Sequence, residues 1–93
     1  MHDWTFLSVS VDWKAGMARL EFMPFGGGNV PKHIVAKGLS DLRLPRKQPW
    51  GPSVSVNSCE GPVEIDGAYR LSIEMQTGDQ IEIVAARFEM PAF

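Results

Sequence analysis

Apolar and polar residues alternate most regularly near the end of the chain. From Tyr69 to Ala86, Leu71, Ile73 and Met75 alternate with Arg70, Ser72, Glu74 and Gln76, and Ile81 and Ile83 alternate with Gln80 and Glu82. Period-two alternation predicts half-buried β-strands. Thr77-Gly78-Asp79 interrupts it, so the stretch reads as a hairpin. A two-residue loop of Thr77 and Gly78 would set Glu74 opposite Ile81. A three-residue loop of Gln76, Thr77 and Gly78 sets Ile73 opposite Ile81 and Leu71 opposite Ile83, which keeps the apolar residues on one face. The second register is expected, with Gly78 in the left-handed conformation that such loops require.

The same pattern runs upstream. In residues 4–11, Thr5, Leu7, Val9 and Val11 share one face and Trp4, Phe6, Ser8 and Ser10 the other. In residues 17–23, Ala18, Leu20 and Phe22 form the apolar face. A four-residue loop, 13–16, then pairs Val11 with Ala18, Val9 with Leu20 and Leu7 with Phe22. Residues 33–36 and 39–44 read as two short strands separated by a bend at Gly38, and residues 53–59 as another. Residues 24–31 hold three consecutive glycines and read as a loop. Residues 45–52, with Pro45, Pro49 and Pro52, read as irregular. Residues 60–67 read as a turn-rich connector and 87–93 as a tail. No segment has helical periodicity. About seven short strands with turn signals between them predict an all-β domain, an antiparallel sandwich or open barrel built from hairpins.

Composition narrows the function. Ninety-three residues make one domain, 44% hydrophobic and 22% charged, too apolar for default disorder. The net charge of −2 argues against a general nucleic-acid binder, which needs a basic face. A lone cysteine, Cys59, makes no internal disulfide and no zinc site. The start has no secretory signal, and no apolar run is long enough to span a bilayer, so a cytoplasmic protein is expected.

No motif specifies chemistry. Arg43, Arg46 and Lys47 precede Trp50, and a basic cluster beside an exposed aromatic is a platform for stacking a base or small ligand. The competing reading is a proline-stiffened loop with Trp50 folded onto the sheet. His2, Asp3, Asp12 and His33 lack metal-ligand spacing, and His2, next to the start, is expected to be mobile. The glycines after Phe25 lack the spacing and following helix of a phosphate loop. Ser53, Ser55, Ser58 and Cys59 lie in no nucleophile motif. Glu74 and Glu82 are diagonal neighbours in the expected register and read as a solvated face. The surplus of apolar residues says more. Trp4 and Phe6 fall opposite the apolar face of the first strand, and Val84, Ala86 and Phe88 opposite Ile81 and Ile83. Either these strands are central in a two-layer structure, or Trp4, Phe6, Val84 and Phe88 form an interface, a two-fold homodimer being its commonest closed form.

The segments Pro45-Arg-Lys-Gln-Pro-Trp-Gly-Pro-Ser-Val-Ser-Val-Asn57 and Leu71-Ser-Ile-Glu-Met-Gln-Thr-Gly-Asp-Gln-Ile81 carry a resemblance. The chain resembles a group of small bacterial proteins that have a PWG-x-S-x-x-x-N segment followed by an IEMQ-small-GD hairpin, and the His2-Asp3-Trp4 start fits the same pattern. In size and strand layout alone it is also similar to β-rich immunity proteins of bacterial toxin systems. The first group implies no activity, and the second implies binding of a partner protein. The resulting expectation is a non-enzymatic protein–protein interaction module, with neither cofactor nor metal, that binds a protein partner or a second copy. The alternative is a small-ligand or oligonucleotide-binding β-domain that uses the 43–50 loop.

Overall fold

A computed structural model describes residues 1–26, 30–47 and 54–91. They form six antiparallel strands and no helix: β1 (Thr5–Asp12), β2 (Met17–Met23), β3 (Lys32–Arg43), β4 (Val56–Ile65), β5 (Ala68–Met75) and β6 (Gln80–Glu89). They make one sheet in the order β1-β2-β3-β6-β5-β4. The all-β expectation holds, with fewer and longer strands than the sequence suggests. Residues 33–36 and 39–44 belong to one strand, because Gly38 bends β3 without ending it. The expected connector at 60–67 is the second half of β4, closed by a two-residue turn at Asp66 and Gly67, both at positive φ. Pro62 is tolerated there because β4 is an edge strand and the ladder is already irregular between Glu60 and Val63. The expected tail is strand as far as Glu89.

The β5–β6 hairpin has the expected register, with Ile73 opposite Ile81 and Leu71 opposite Ile83. The Gly78 N–H donates to the Met75 carbonyl, and Gly78 has φ +98°. In the β1–β2 hairpin Val11 faces Ala18 and Val9 faces Leu20, as expected, but the register shifts between Phe6 and Ser8. Leu7 is the extra residue of a bulge, so Phe6 rather than Leu7 lies opposite Phe22. The reason is packing. Phe22 is fully buried; Phe6 stacks on it at 5.1 Å between ring centroids, and Trp4 sits tilted at 6.4 Å. The bulge moves the larger aromatic onto the core and leaves Leu7 46% exposed.

The sheet curls around one core. Leu20 and Phe22 from β2, Ile34 and Ala36 from β3, Leu71 and Ile73 from β5, and Ile81 and Ile83 from β6 all point inward. Curling brings the outer strands of the sheet together at one end. The Asp3 N–H donates to the Val56 carbonyl at 2.8 Å, the Val56 N–H to the Trp4 carbonyl at 2.8 Å, and the Phe6 N–H to the Val54 carbonyl at 2.7 Å. The rest of β1 and β4 is edge. Residues 44–46 lie along this inner side and, with Phe6, Val9, Met75 and Ile81, line an apolar cavity of about 120 Å³.

Candidate functional site

The most exposed large apolar side chain among the described residues is Trp13, at 87%. It sits in the β1–β2 turn, which the sequence builds from local parts. Asp12 Oδ1 accepts the Ala15 N–H at 3.0 Å, the arrangement that makes aspartate a frequent first residue of turns. The Gly16 N–H donates to the Trp13 carbonyl, and the Gly16 carbonyl in turn accepts the Leu39 N–H at 2.8 Å. That last bond docks the turn onto β3 just past its bend.

The bend is set by Gly38. Its φ is +67°, and a Cβ added there would lie 2.6 Å from the Cβ of Ala86 on the neighbouring strand. Only glycine permits this approach. One residue further on, the β3–β6 register shifts between Leu39 and Asp41. Two irregularities in quick succession reset which side chains face inward: Ile34 and Ala36 before the bend, Leu39 and Leu42 after it. Ser40 Oγ donates to the Val84 carbonyl at 3.2 Å, and Arg43 Nε donates to Asp41 Oδ2 at 3.2 Å. Between turn and bend lies an open cleft of about 470 Å³, lined by Val11, Trp13, Gly16, Leu39, Ser40, Asp41 and Leu42. Its walls are mainly apolar, and its polar groups sit on one side, at Ser40 and Asp41.

The structure scatters the residues that the sequence singles out. Arg43 is exposed at the end of β3 and tethered to Asp41, at the edge of this cleft. Arg46 lines the separate small cavity. Trp50 lies outside the described residues, so the 43–50 loop is seen only in part. Trp4, Phe6 and Phe88 pack against the core, which corrects the sequence assignment of these three to an opposite face. For Trp4 and Phe6 the bulge at Leu7 is the cause; for Phe88 it is the β6 pairing at the Gly38 bend, where Phe88 lies opposite the buried Ala36. Val84 alone of the four stands on the outer face, half-buried, opposite Arg70 on one side and Asp41 on the other. Arg70 in turn faces Val63, which is 53% exposed.

Of the remaining polar candidates, Ser53 lies outside the described residues, and Ser58 and Glu74 fall on the sheet exterior. Ser58, Glu60, Ser72, Glu74 and Gln80 line a polar groove, and Glu74 Oε1 accepts from Asn57 Nδ2 at 2.5 Å. His33 Nε2 lies 2.8 Å from Glu21 Oε2, a pairing across strands. Among the described residues no group of three or more His, Cys, Asp or Glu is placed to hold a metal ion. His2, expected to be mobile, is held: its Nδ1 lies 2.8 Å from the Asn57 carbonyl and its Nε2 3.5 Å from Asp3 Oδ2. Burial raises the pKa of the Cys59 thiol, which packs against the core and is disfavoured as a thiolate nucleophile. No described helix is long and apolar enough to cross a membrane.

Comparison of the chain with protein-family models, with curated proteins and with solved structures finds no match.

Proposed function

We propose that the protein is a non-enzymatic binding module that recognises another protein through the Trp13 cleft. The observation that carries this reading is an 87%-exposed tryptophan beside an open cleft with apolar walls. Monomeric proteins rarely leave such a surface uncovered, and tryptophan is enriched among the residues that dominate binding energy at interfaces. The cleft accepts an apolar side chain of the partner, and Ser40 and Asp41 orient it through polar contacts at one side. The likeness in size and strand layout to immunity proteins supports a more specific form, in which the partner is a bacterial toxin. A bacterial, cytoplasmic setting belongs to this proposal and rests on the sequence alone. Self-association belongs to it as well, since exposed apolar surface serves a second copy as readily as a foreign partner.

The test compares affinity capture by wild type, Trp13→Ser and Val63→Ser, the last altering an exposed apolar residue on β4, at the opposite edge of the sheet from the Trp13 turn. Loss of a captured protein with Trp13→Ser, retained with Val63→Ser and with unchanged melting temperatures, supports the reading. Capture of the same proteins by all three overturns it.

One observation favours a second reading, a small-ligand or oligonucleotide site. The Arg43 guanidinium is anchored on Asp41, a residue of the cleft that also holds Trp13. An indole and a guanidinium at one site form a stacking platform for a base. Titration with nucleotides and short oligonucleotides, read as quenching in a variant that keeps Trp13 as its one tryptophan, separates the two readings. The net charge of −2 favours the protein partner.

A further inference from the structure

β3 is longer than the hairpin beside it. On one side it pairs with β2 from Lys32 to Lys37, and on the other with β6 from Val35 to Arg43. Residues 39–43 therefore have a neighbouring strand on the β6 side, and none on the β2 side among the described residues. Met17 and Lys37 form the last β2–β3 pair. Past it the β1–β2 turn makes one bond, from the Leu39 N–H to the Gly16 carbonyl. Among the described residues no further backbone partner meets this side of residues 40–43. The Trp13 cleft occupies the vacant lane, with residues 39–42 as one wall and Val11 and Trp13 of the hairpin on the other. An open row of backbone N–H and C=O groups is a template for another strand.

We propose that this lane takes an extended segment of the partner protein as an added strand, in which apolar residues alternate with basic ones. The inference rests on the cleft reading above and says what form the partner takes there. Alternate backbone groups of a strand point to opposite sides, so those of residues 40–43 that do not serve β6 open into the cleft. Residues 39–43 extend about 17 Å, at about 3.4 Å each, which matches an added strand of four or five residues. Backbone bonds supply its affinity and alternate side chains its register. On the inner side the added strand meets Leu39 and Leu42, which pack against the core, and Val11, 42% exposed. The Trp13 indole borders the same lane and packs on the inserted apolar residue. On the outer side stands Asp41, the one charged residue among the described residues of the lining. Its ion pair with Arg43 is solvent-exposed, and such pairs contribute little, so Asp41 is available to a lysine or arginine of the strand. The net charge of −2 favours a basic partner as well. A side chain inserted from a compact, folded surface fits less well. It would fill the apolar end and shut the row of backbone groups away from water without partners, which is costly.

The test pans a phage-displayed library of random linear peptides against wild type, with excess Trp13→Ser protein in solution to remove peptides that bind elsewhere. The enriched peptides are expected to carry apolar residues at every second position, with lysine or arginine between them. One of them is synthesised and methylated on its backbone nitrogens, one at a time. Methylation at every second residue should weaken binding about tenfold or more, since each such change leaves a backbone acceptor in the cleft unpaired. Methylation at the residues between should leave it unchanged. On the protein, amide exchange within residues 40–43 should slow when the peptide binds, while amides of the β4–β5 ladder keep their rates. Asp41 is exposed, and Asp41→Asn should weaken the basic peptide about threefold. Tolerance of methylation at every position overturns the proposal. So does exchange at residues 40–43 that ignores the peptide, an affinity that Asp41→Asn leaves unchanged, or a panning in which nothing outlasts the Trp13→Ser competitor. The cleft reading fails on a different result. If Trp13→Ser loses a captured protein while no strand peptide binds, the cleft takes a folded surface of its partner and only this inference falls. If capture survives Trp13→Ser, the cleft reading falls and takes this inference with it.

Discussion

Leu7 and Phe6 show how one residue redistributes a core. Simple alternation from Val9 assigns Leu7 to the inner face and Phe6 to the outer one. The bulge reverses the two, leaving Phe6 stacked on Phe22 and Leu7 46% exposed. A core aromatic loses its transfer free energy and leaves a cavity when truncated, whereas a half-exposed leucine at an edge leaves little behind. Phe6→Ala is therefore expected to cost about 2 kcal/mol or more, and Leu7→Ala less than about 1 kcal/mol, measured by urea denaturation. Strict alternation requires the reverse order. The sequence carries no local mark of the bulge, because Phe-Leu-Ser fits a regular strand equally well. What selects it is the packing of Phe6 on Phe22 of the next strand, a tertiary condition that period-two alternation does not carry. The same blindness applies to Trp13. Its place in a turn is legible from Asp12 and Gly16, but its exposure depends on where the turn docks.

At the scale of the strand, β3 is where fold and candidate site are made together. The sequence marks Gly38 as a break, correctly as to place, but the chain continues because the bend is absorbed by close approach to β6. Substitution there meets two costs. An alanine at φ +67° is strained by about 1 kcal/mol. Its Cβ would also lie 2.6 Å from Ala86 Cβ, an overlap that forces strands apart for about 1–3 kcal/mol. Gly38→Ala is expected to destabilise by at least about 2 kcal/mol. Ala86→Gly removes the atom in the way, so the double variant should recover the steric part and keep the backbone part. A thermodynamic cycle over the two changes measures that coupling, and strict additivity would remove the steric explanation. The β5–β6 hairpin is the opposite case. Its register was readable in advance because apolar pattern, loop length and Gly78 agree. β3 was not, because its pattern changes phase twice, around Gly38 and Ser40, and periodicity methods assume one phase per strand.

At the scale of the whole molecule, the question is what keeps a curled sheet from unrolling. Adjacent strands hold one another through their ladders, but among the described residues the two outer strands are joined around residues 3–6 and 54–56. The β5–β6 turn reinforces this closure from outside. The Gln76 N–H donates to the Ser55 carbonyl at 2.8 Å, and Gln76 Nε2 donates to Asp3 Oδ1 and to the Val56 carbonyl. One side chain thus ties the first residues, the start of β4 and the last hairpin together. Gln76 is exposed, so Gln76→Ala leaves the core untouched and removes only this tie. Net hydrogen-bond contributions of this type are about 1 kcal/mol. That free energy belongs to local opening of the closure rather than to global unfolding, since the ladders from β2 to β5 do not pass through it. Amide exchange at Asp3, Phe6 and Val56 is therefore expected to accelerate about fivefold, since about 1.4 kcal/mol corresponds to tenfold. Amides within β5 and β6 should keep their wild-type rates. Equal acceleration throughout the sheet would mean that the closure and the core open together, as one cooperative unit. Unchanged exchange at Phe6 and Val56 would mean that the backbone bonds hold the ends without the side chain.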